Sequence, residues 1–388
     1  MADFSNVSAL LEQFAQQSVV GCSCAVSHKG KTVFEGYAGY ADKAAGRNID
    51  KDTVYRLFSM TKVIVCTAAL KEFEKGRYLL NDPFYEYFPA YRNMQKVVVL
   101  PNGTVEFRPL EHPILVKDVF SMSMGFPYTM GDSVNGHRIQ QVKDRLTKQY
   151  GKYTLQQEIN AMAEVPVAFE PGTHFLYGYG HELVAGLLEI VSGKTVGEYL
   201  KQEIFEPLGM ESTGYRYFGD IRERMSLFYE EDENGELQGG KGMLDEFHEP
   251  DALFEHGGGG LFSTTGDYLA FATMMANGGK TPDGAQIISP RTIDLMRSNQ
   301  LCPEALKDFR NDYLAGYGYG LGVRTLMEPG AAYYGGNAGE FGWTGAGGTY
   351  TLIDPTEQVA IVYMHQRMPN LEREHHHRIR NAVYAALD

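Results

Sequence analysis

Ser59 and Lys62 stand three positions apart in Ser59-Met60-Thr61-Lys62, at the head of a strongly apolar run. Residues at i and i+3 share one helix face, so the Ser59 hydroxyl and the Lys62 amine can meet in one small pocket as a nucleophile and its activator. Residues 54–58 read as a short extended approach and residues 63–70 as a buried helix. Ser59 then lies in the first turn of that helix. There, free backbone N–H groups and the positive end of the dipole favour an alkoxide or an oxyanion. Taken alone, the same four residues also describe a serine N-cap followed by a solvated lysine.

Two further stretches carry chemistry. In Phe175-Leu176-Tyr177-Gly178-Tyr179-Gly180-His181 a glycine-rich turn precedes an apolar helix, and the Tyr177 phenol can project into a cleft. An ammonium nearby favours phenolate, which makes Tyr177 a candidate to take the Ser59 proton and return it to a leaving group. Packing aromatics are the plain alternative. In Phe341-Gly342-Trp343-Thr344-Gly345-Ala346-Gly347-Gly348 the small residues let a substrate approach the backbone. The N–H of Ala346 and that of Ser59 can then form an oxyanion hole; a glycine bulge in an edge strand is the other reading.

The elements that must position these residues follow from pattern. Residues 4–17 predict an amphipathic helix and residues 19–40 a hairpin turning at 28–31. A mostly helical stretch reaches to about residue 212. After residue 254 come a helix over 265–277, strands over 348–354 and 359–364, and a closing helix over 373–387. Sheet, inserted helices and sheet again imply an α+β fold. Its antiparallel sheet, flanked by helices, forms one discontinuous domain (1–75 and 225–388), and a mostly helical lobe (76–224) is inserted; the cleft between them is the expected site. The acidic stretch 230–236 reads as an exposed turn and His375-His376-His377 as a solvated helix face rather than a metal tract.

Composition narrows the function. The 388 residues are 43% hydrophobic and 22% charged, as in an ordinary globule. A net charge of −14, from 35 basic and 49 acidic residues, argues against nucleic acid or an anionic membrane as partner. The sequence shows neither a signal-peptide pattern nor an apolar run of eighteen residues, so a cytoplasmic location is expected. Cys22, Cys24, Cys66 and Cys302 give no metal or disulfide spacing; Cys22 and Cys24 alternate along a strand toward one face.

In order, these motifs resemble the serine β-lactamase and penicillin-binding-protein superfamily. Its class C β-lactamase-like branch is the nearest, and the family VIII carboxylesterases within it nearer still. The likeness extends through residues 76–83, Val116-Lys117-Asp118-Val119-Phe120-Ser121-Met122-Ser123-Met124-Gly125-Phe126-Pro127, Phe169-Glu170-Pro171-Gly172-Thr173, residues 204–210 and residues 257–264, and so covers about residues 4–388. The resemblance implies Ser59 as acylated nucleophile, Lys62 as proton-relay partner, Tyr177 as the tyrosine of the Y-x-N motif, and Trp343-Thr344-Gly345 in place of K-T-G or H-T-G. It implies no metal and no organic cofactor.

Two departures bear on substrate. Trp343 replaces a cation that pairs with a substrate carboxylate, and Tyr179 replaces an amide that meets the substrate's acyl-amide. Tyr179, Trp343, Thr344 and Gly345 are therefore expected to line a site for a neutral, apolar ester. Tyr85, Tyr87, Phe88, Tyr91, Phe126 and Tyr128 would supply an apolar wall. The expectation is a serine carboxylesterase working through an acyl-enzyme on a small-molecule ester. Its rivals are a β-lactamase, D,D-peptidase or D-aminopeptidase, an acyl-transferring transesterase, and a catalytically silent binding protein. Oligomeric state is not legible in the chain.

Overall fold

The chain reverses at Lys29 and Gly30, which both take positive φ (51° and 77°), and this joins β1 (Gly21–His28) to β2 (Lys31–Asp42) as an antiparallel hairpin. This computed structural model describes residues 2–129 and 133–387. The other strands of the main sheet are β3 (Arg47–Asn48), β4 (Tyr317–Tyr319), β5 (Arg324–Leu326), β6 (Phe341–Thr344), β7 (Tyr350–Asp354) and β8 (Val359–His365). Their order is β4-β5-β6-β7-β8-β1-β2-β3, with every neighbouring pair antiparallel. The pairing of β1 with β8, Cys22 opposite His365, sets the first and last strands of this sheet in chain order side by side.

Side-chain alternation along β8 divides the core into two layers, because successive residues of a strand point to opposite faces. Val359, Ile361 and Tyr363 pack with Cys22 and Cys24 beneath α1 (Ser5–Gln17) and α5 (Glu372–Leu387). Ala360, Val362 and Met364 pack on the other side with α2 (Thr61–Glu74) and α4 (Thr265–Ala276). That second layer continues through α2 into α3 (Gly180–Ser192) and the helices around it, so one apolar core supports the sheet and the helical region alike.

Three expectations are corrected. The helical stretch contains a hairpin, Gln95–Val99 with Val105–Pro109, whose local signals are the run Val97-Val98-Val99 and the turn Asn102-Gly103. Three of the six aromatics proposed as a substrate wall are core: Phe88, Tyr91 and Phe126 are 1%, 2% and 1% exposed, and Phe88 stacks on Phe84 at 4.9 Å. The histidine row is not a solvated face. His375 and His376 are buried; His375 stacks on Phe14 at 3.8 Å, His376 on Tyr350 at 4.6 Å and His377 on Tyr334 at 3.8 Å. Each ring serves as an aromatic between α5 and the rest of the molecule. The acidic stretch turns between the strands Phe228–Glu231 and Leu237–Gly240. Among the described residues no helix is long and apolar enough to cross a membrane.

Burial holds these histidines neutral. It lowers His375 to about 4 and drives His365 and His376 well below the ordinary range. In the unfolded chain each titrates near 6.5. A group depressed by folding contributes stability above its unfolded pKa and loses it as pH falls toward the folded value. Stability should therefore be flat near pH 7 and fall between about 6.5 and 4, with His375 alone responsible for at most about 3 kcal/mol. Denaturant midpoints across this window should show a shallower slope for His375→Gln than for the parent. Equal slopes would refute the assignment.

Candidate active site

The strand Val54–Arg56 ends in a kink that aims Ser59 out of the core. Phe58, buried at 3% exposure, takes φ +46°, a left-handed value unusual for a bulky residue and of the kind found at functional turns. The segment is clamped on both sides. Leu57 N–H donates to the Leu261 carbonyl at 2.9 Å and Thr349 Oγ1 to the Leu57 carbonyl at 3.0 Å, while Tyr268 OH caps the Met60 carbonyl at 3.0 Å. Ser59 falls in a 3₁₀ turn, Phe58–Met60, directly before α2, and its side chain is half-buried.

Lys62 is fully buried, and burying an ammonium costs several kcal/mol unless its protons find acceptors. Its amine has three. Nζ donates to Ser59 Oγ at 3.0 Å, to Tyr128 OH at 3.0 Å, and to the Gly258 carbonyl in a short contact. Burial alone would lower its pKa, but Tyr128 and Tyr177 outweigh that and raise it, so Lys62 stays protonated. Removal from water pushes the Tyr128 phenol up to about 12 against the pull of Lys62.

Tyr177 and Tyr128 are brought together by a bridge between Gly178 and Pro127, at which a Cβ on Gly178 would lie 2.0 Å from the Phe126 carbonyl. Their rings meet edge-on at 5.7 Å, and the Lys62 amine lies 4.9 Å from the Tyr177 ring centre. The Tyr177 hydroxyl accepts from Trp343 Nε1 at 3.0 Å, with the two rings stacked at 5.4 Å. Tyr179 goes elsewhere. It is 2% exposed, its hydroxyl donates to the buried Glu158 carboxylate, and it stands behind Tyr128 rather than in the cleft.

The third motif closes the site from the sheet. β5 pairs with Phe341 and Gly342 of β6, and the pairing stops before Trp343 and Thr344. The turn after it presses on the Ser59 segment: a Cβ on Gly345 would lie 2.3 Å from the Leu57 carbonyl, and one on Gly347 2.7 Å from the Phe58 ring. Ala346, half-buried, lies between these two glycines. Thr344 Oγ1 donates to Glu372 at 3.1 Å, so a carboxylate stands one residue from the position at which the resemblance implies a cation. Cavities elsewhere are separate features; one of about 620 Å³, lined by Phe205, Met210, Tyr215 and Phe218, shares no lining residue with the Ser59 cluster.

Sequence reading paired Lys62 with Tyr177, placed Tyr128 in an apolar wall rather than on the Lys62 amine, and did not single out Gly258 or Glu182. Glu182 follows Tyr177 by five positions in α3 and accepts the N–H groups of Gly257 and Gly258 at 2.7 and 3.1 Å. The run Gly257-Gly258-Gly259-Gly260 signalled close approach without saying to what. A Cβ on Gly258 would lie 2.8 Å from both Glu182 Oε1 and Tyr128 OH and 3.3 Å from Lys62 Nζ. Gly258→Ala should therefore cost about 1–3 kcal/mol by overpacking. Gly266→Ala, with nothing within 4 Å, should be neutral or stabilising by up to about 1 kcal/mol. Urea denaturation of the pair checks this; equal effects would contradict the packing described.

The Ser59 hydroxyl, a buried ammonium, two phenols and a backbone turn are thus brought together. The esterase EstB of Burkholderia gladioli is 24% identical over 380 residues, which cover 93% of this chain and 89% of that protein. A lovastatin esterase of Penicillium rubens is 26% identical over 339 residues, 80% of each chain. The structure of the simvastatin synthase LovD from Aspergillus terreus superposes with a TM-score of 0.83 at 18% identity, covering 99% of both chains. The Beta-lactamase family model matches residues 7–386, nearly the whole sequence, and the chain belongs to that family of serine hydrolases.

Proposed function

We propose that this protein is a carboxylesterase that forms an acyl-enzyme on Ser59, with a neutral, apolar ester as substrate. Ser59 Oγ attacks the ester carbonyl carbon. Its proton reaches the departing alkoxide through Lys62, which releases one of its own protons to the alkoxide as it takes up that of Ser59, with Tyr128 hydrogen-bonded to the amine and Tyr177 beside it. The N–H groups of Ser59 and Ala346 hold the oxyanion, and water then attacks the acyl-serine to release the acid. Trp343, Thr344 and Gly345 line the acyl path. No cofactor is required for this sequence of steps.

The observation that carries the substrate class is the pairing of Trp343 with Tyr177. An uncharged indole fills the place where a cation would bind a β-lactam or peptide carboxylate, and its N–H is already used inside the protein. Nearby, the Glu372 carboxylate on Thr344 adds repulsion toward an anionic group. The esterase relatives lend this reading support by name.

Purified protein should hydrolyse short-chain p-nitrophenyl esters faster than nitrocefin, and Ser59→Ala should lower ester turnover by at least about a thousandfold with the fold intact by circular dichroism. Faster opening of the β-lactam ring would overturn the substrate class. Undiminished turnover by Ser59→Ala would overturn the nucleophile.

A further inference from the structure

Among the described residues Lys62 has no carboxylate in direct contact: its three partners are a hydroxyl, a phenol and a backbone carbonyl. A buried carboxylate stands one peptide away. Glu182, 2% exposed, takes the N–H groups of Gly257 and Gly258 on its two oxygens, and the Gly258 carbonyl on the far side of the same residue points at Lys62. Gly258 thus has a carboxylate on its N–H and an ammonium on its C=O, and each end polarises the other. The glycine is tied to this place, because a Cβ there would crowd Glu182, Tyr128 and Lys62 at once.

We propose that Glu182 is a positioning residue for the chemistry at Ser59: its buried carboxylate fixes the Gly257–Gly258 turn, aims the Gly258 carbonyl at Lys62 and acts as the remote counter-charge of that ammonium. The inference rests on the reading that Ser59 is acylated. Lys62 is faced by Tyr128, Tyr177, His181, Cys66 on its own helix, and Glu182. Glu182 is faced in turn by His256, 3.5 Å away, and by Lys143, Glu158 and Tyr215. His181 is kept neutral by burial, and its Nε2 meets the Phe120 carbonyl at 2.9 Å. It adds no negative charge, which leaves Glu182 as the anion nearest to Lys62 among these groups.

Removing that charge while keeping the side chain's size should release the turn and ease deprotonation of Lys62. The test is the second-order rate of labelling by a fluorophosphonate probe as a function of pH, in the parent, Glu182→Gln and Glu182→Asp. Glu182→Gln should label at least about tenfold more slowly at pH 7, and its alkaline limb should move to lower pH by half a unit or more. Glu182→Asp keeps the charge but withdraws it by one methylene; it should be several-fold slower with its alkaline limb in place. A Glu182→Gln protein that folds with lower thermal stability, yet keeps the parent's rate and pH profile, would reduce Glu182 to a structural residue and overturn the proposal. Should Glu182→Gln fail to fold, Glu182→Asp decides, and a parental rate there overturns it. A parent that does not label at all would instead sink the acyl-enzyme reading itself.

Discussion

The ammonium of Lys62 has to be satisfied inside the protein, and the groups that satisfy it come from separate parts of the chain: Ser59 one turn before it, Tyr128 from the segment after residues 116–120, and Gly258 from the glycine run before α4. An unpaired charge in the core costs more than most single contacts return, so these segments cannot drift apart without exposing it. The site is thus rigid for the same reason that the core is stable. Glu182 extends the constraint one layer further through the N–H groups of Gly257 and Gly258.

The sheet supplies the other half. The turn after β6 lies so close to Leu57 and Phe58 that side chains at Gly345 and Gly347 would collide with them. Gly348, with φ +97°, leaves room for the His365 ring, to which a Cβ there would come within 1.8 Å. Buried histidines therefore sit against the turn that follows β6, and His376 Nε2 lies 3.4 Å from the Gly348 carbonyl. Packing between α5 and the sheet is in this way joined to the geometry opposite Ser59.

Much of this was legible in the chain. Alternation gave the β1–β2 hairpin and the C-terminal strands, and the i, i+3 spacing brought Ser59 and Lys62 within 3.0 Å. What pattern could not give was the destination of side chains whose partners are distant in sequence. Tyr128 and Tyr177 look alike as letters, yet Tyr128 accepts a hydrogen bond from Lys62 while Tyr177 accepts one from Trp343. Tyr179 is two residues from Tyr177 but turns inward because a buried Glu158 accepts its hydroxyl. The histidine row read as polar since hydropathy scales treat imidazole as a water-seeking group, whereas a neutral ring can stack like any aromatic. Glu182 sat in an apolar helix with nothing local to mark its partner as a glycine loop.

The central claim is that Ser59 becomes covalently acylated with Lys62 as its protonated neighbour. Intact-protein mass spectrometry after brief exposure to a panel of p-nitrophenyl esters and a penicillin, followed by peptide mapping, tests it most directly. The account predicts a mass gain equal to the acyl group of the ester, located on the peptide containing Ser59, and little adduct from the penicillin. No adduct from any ester, or an adduct on a residue other than Ser59, would contradict it.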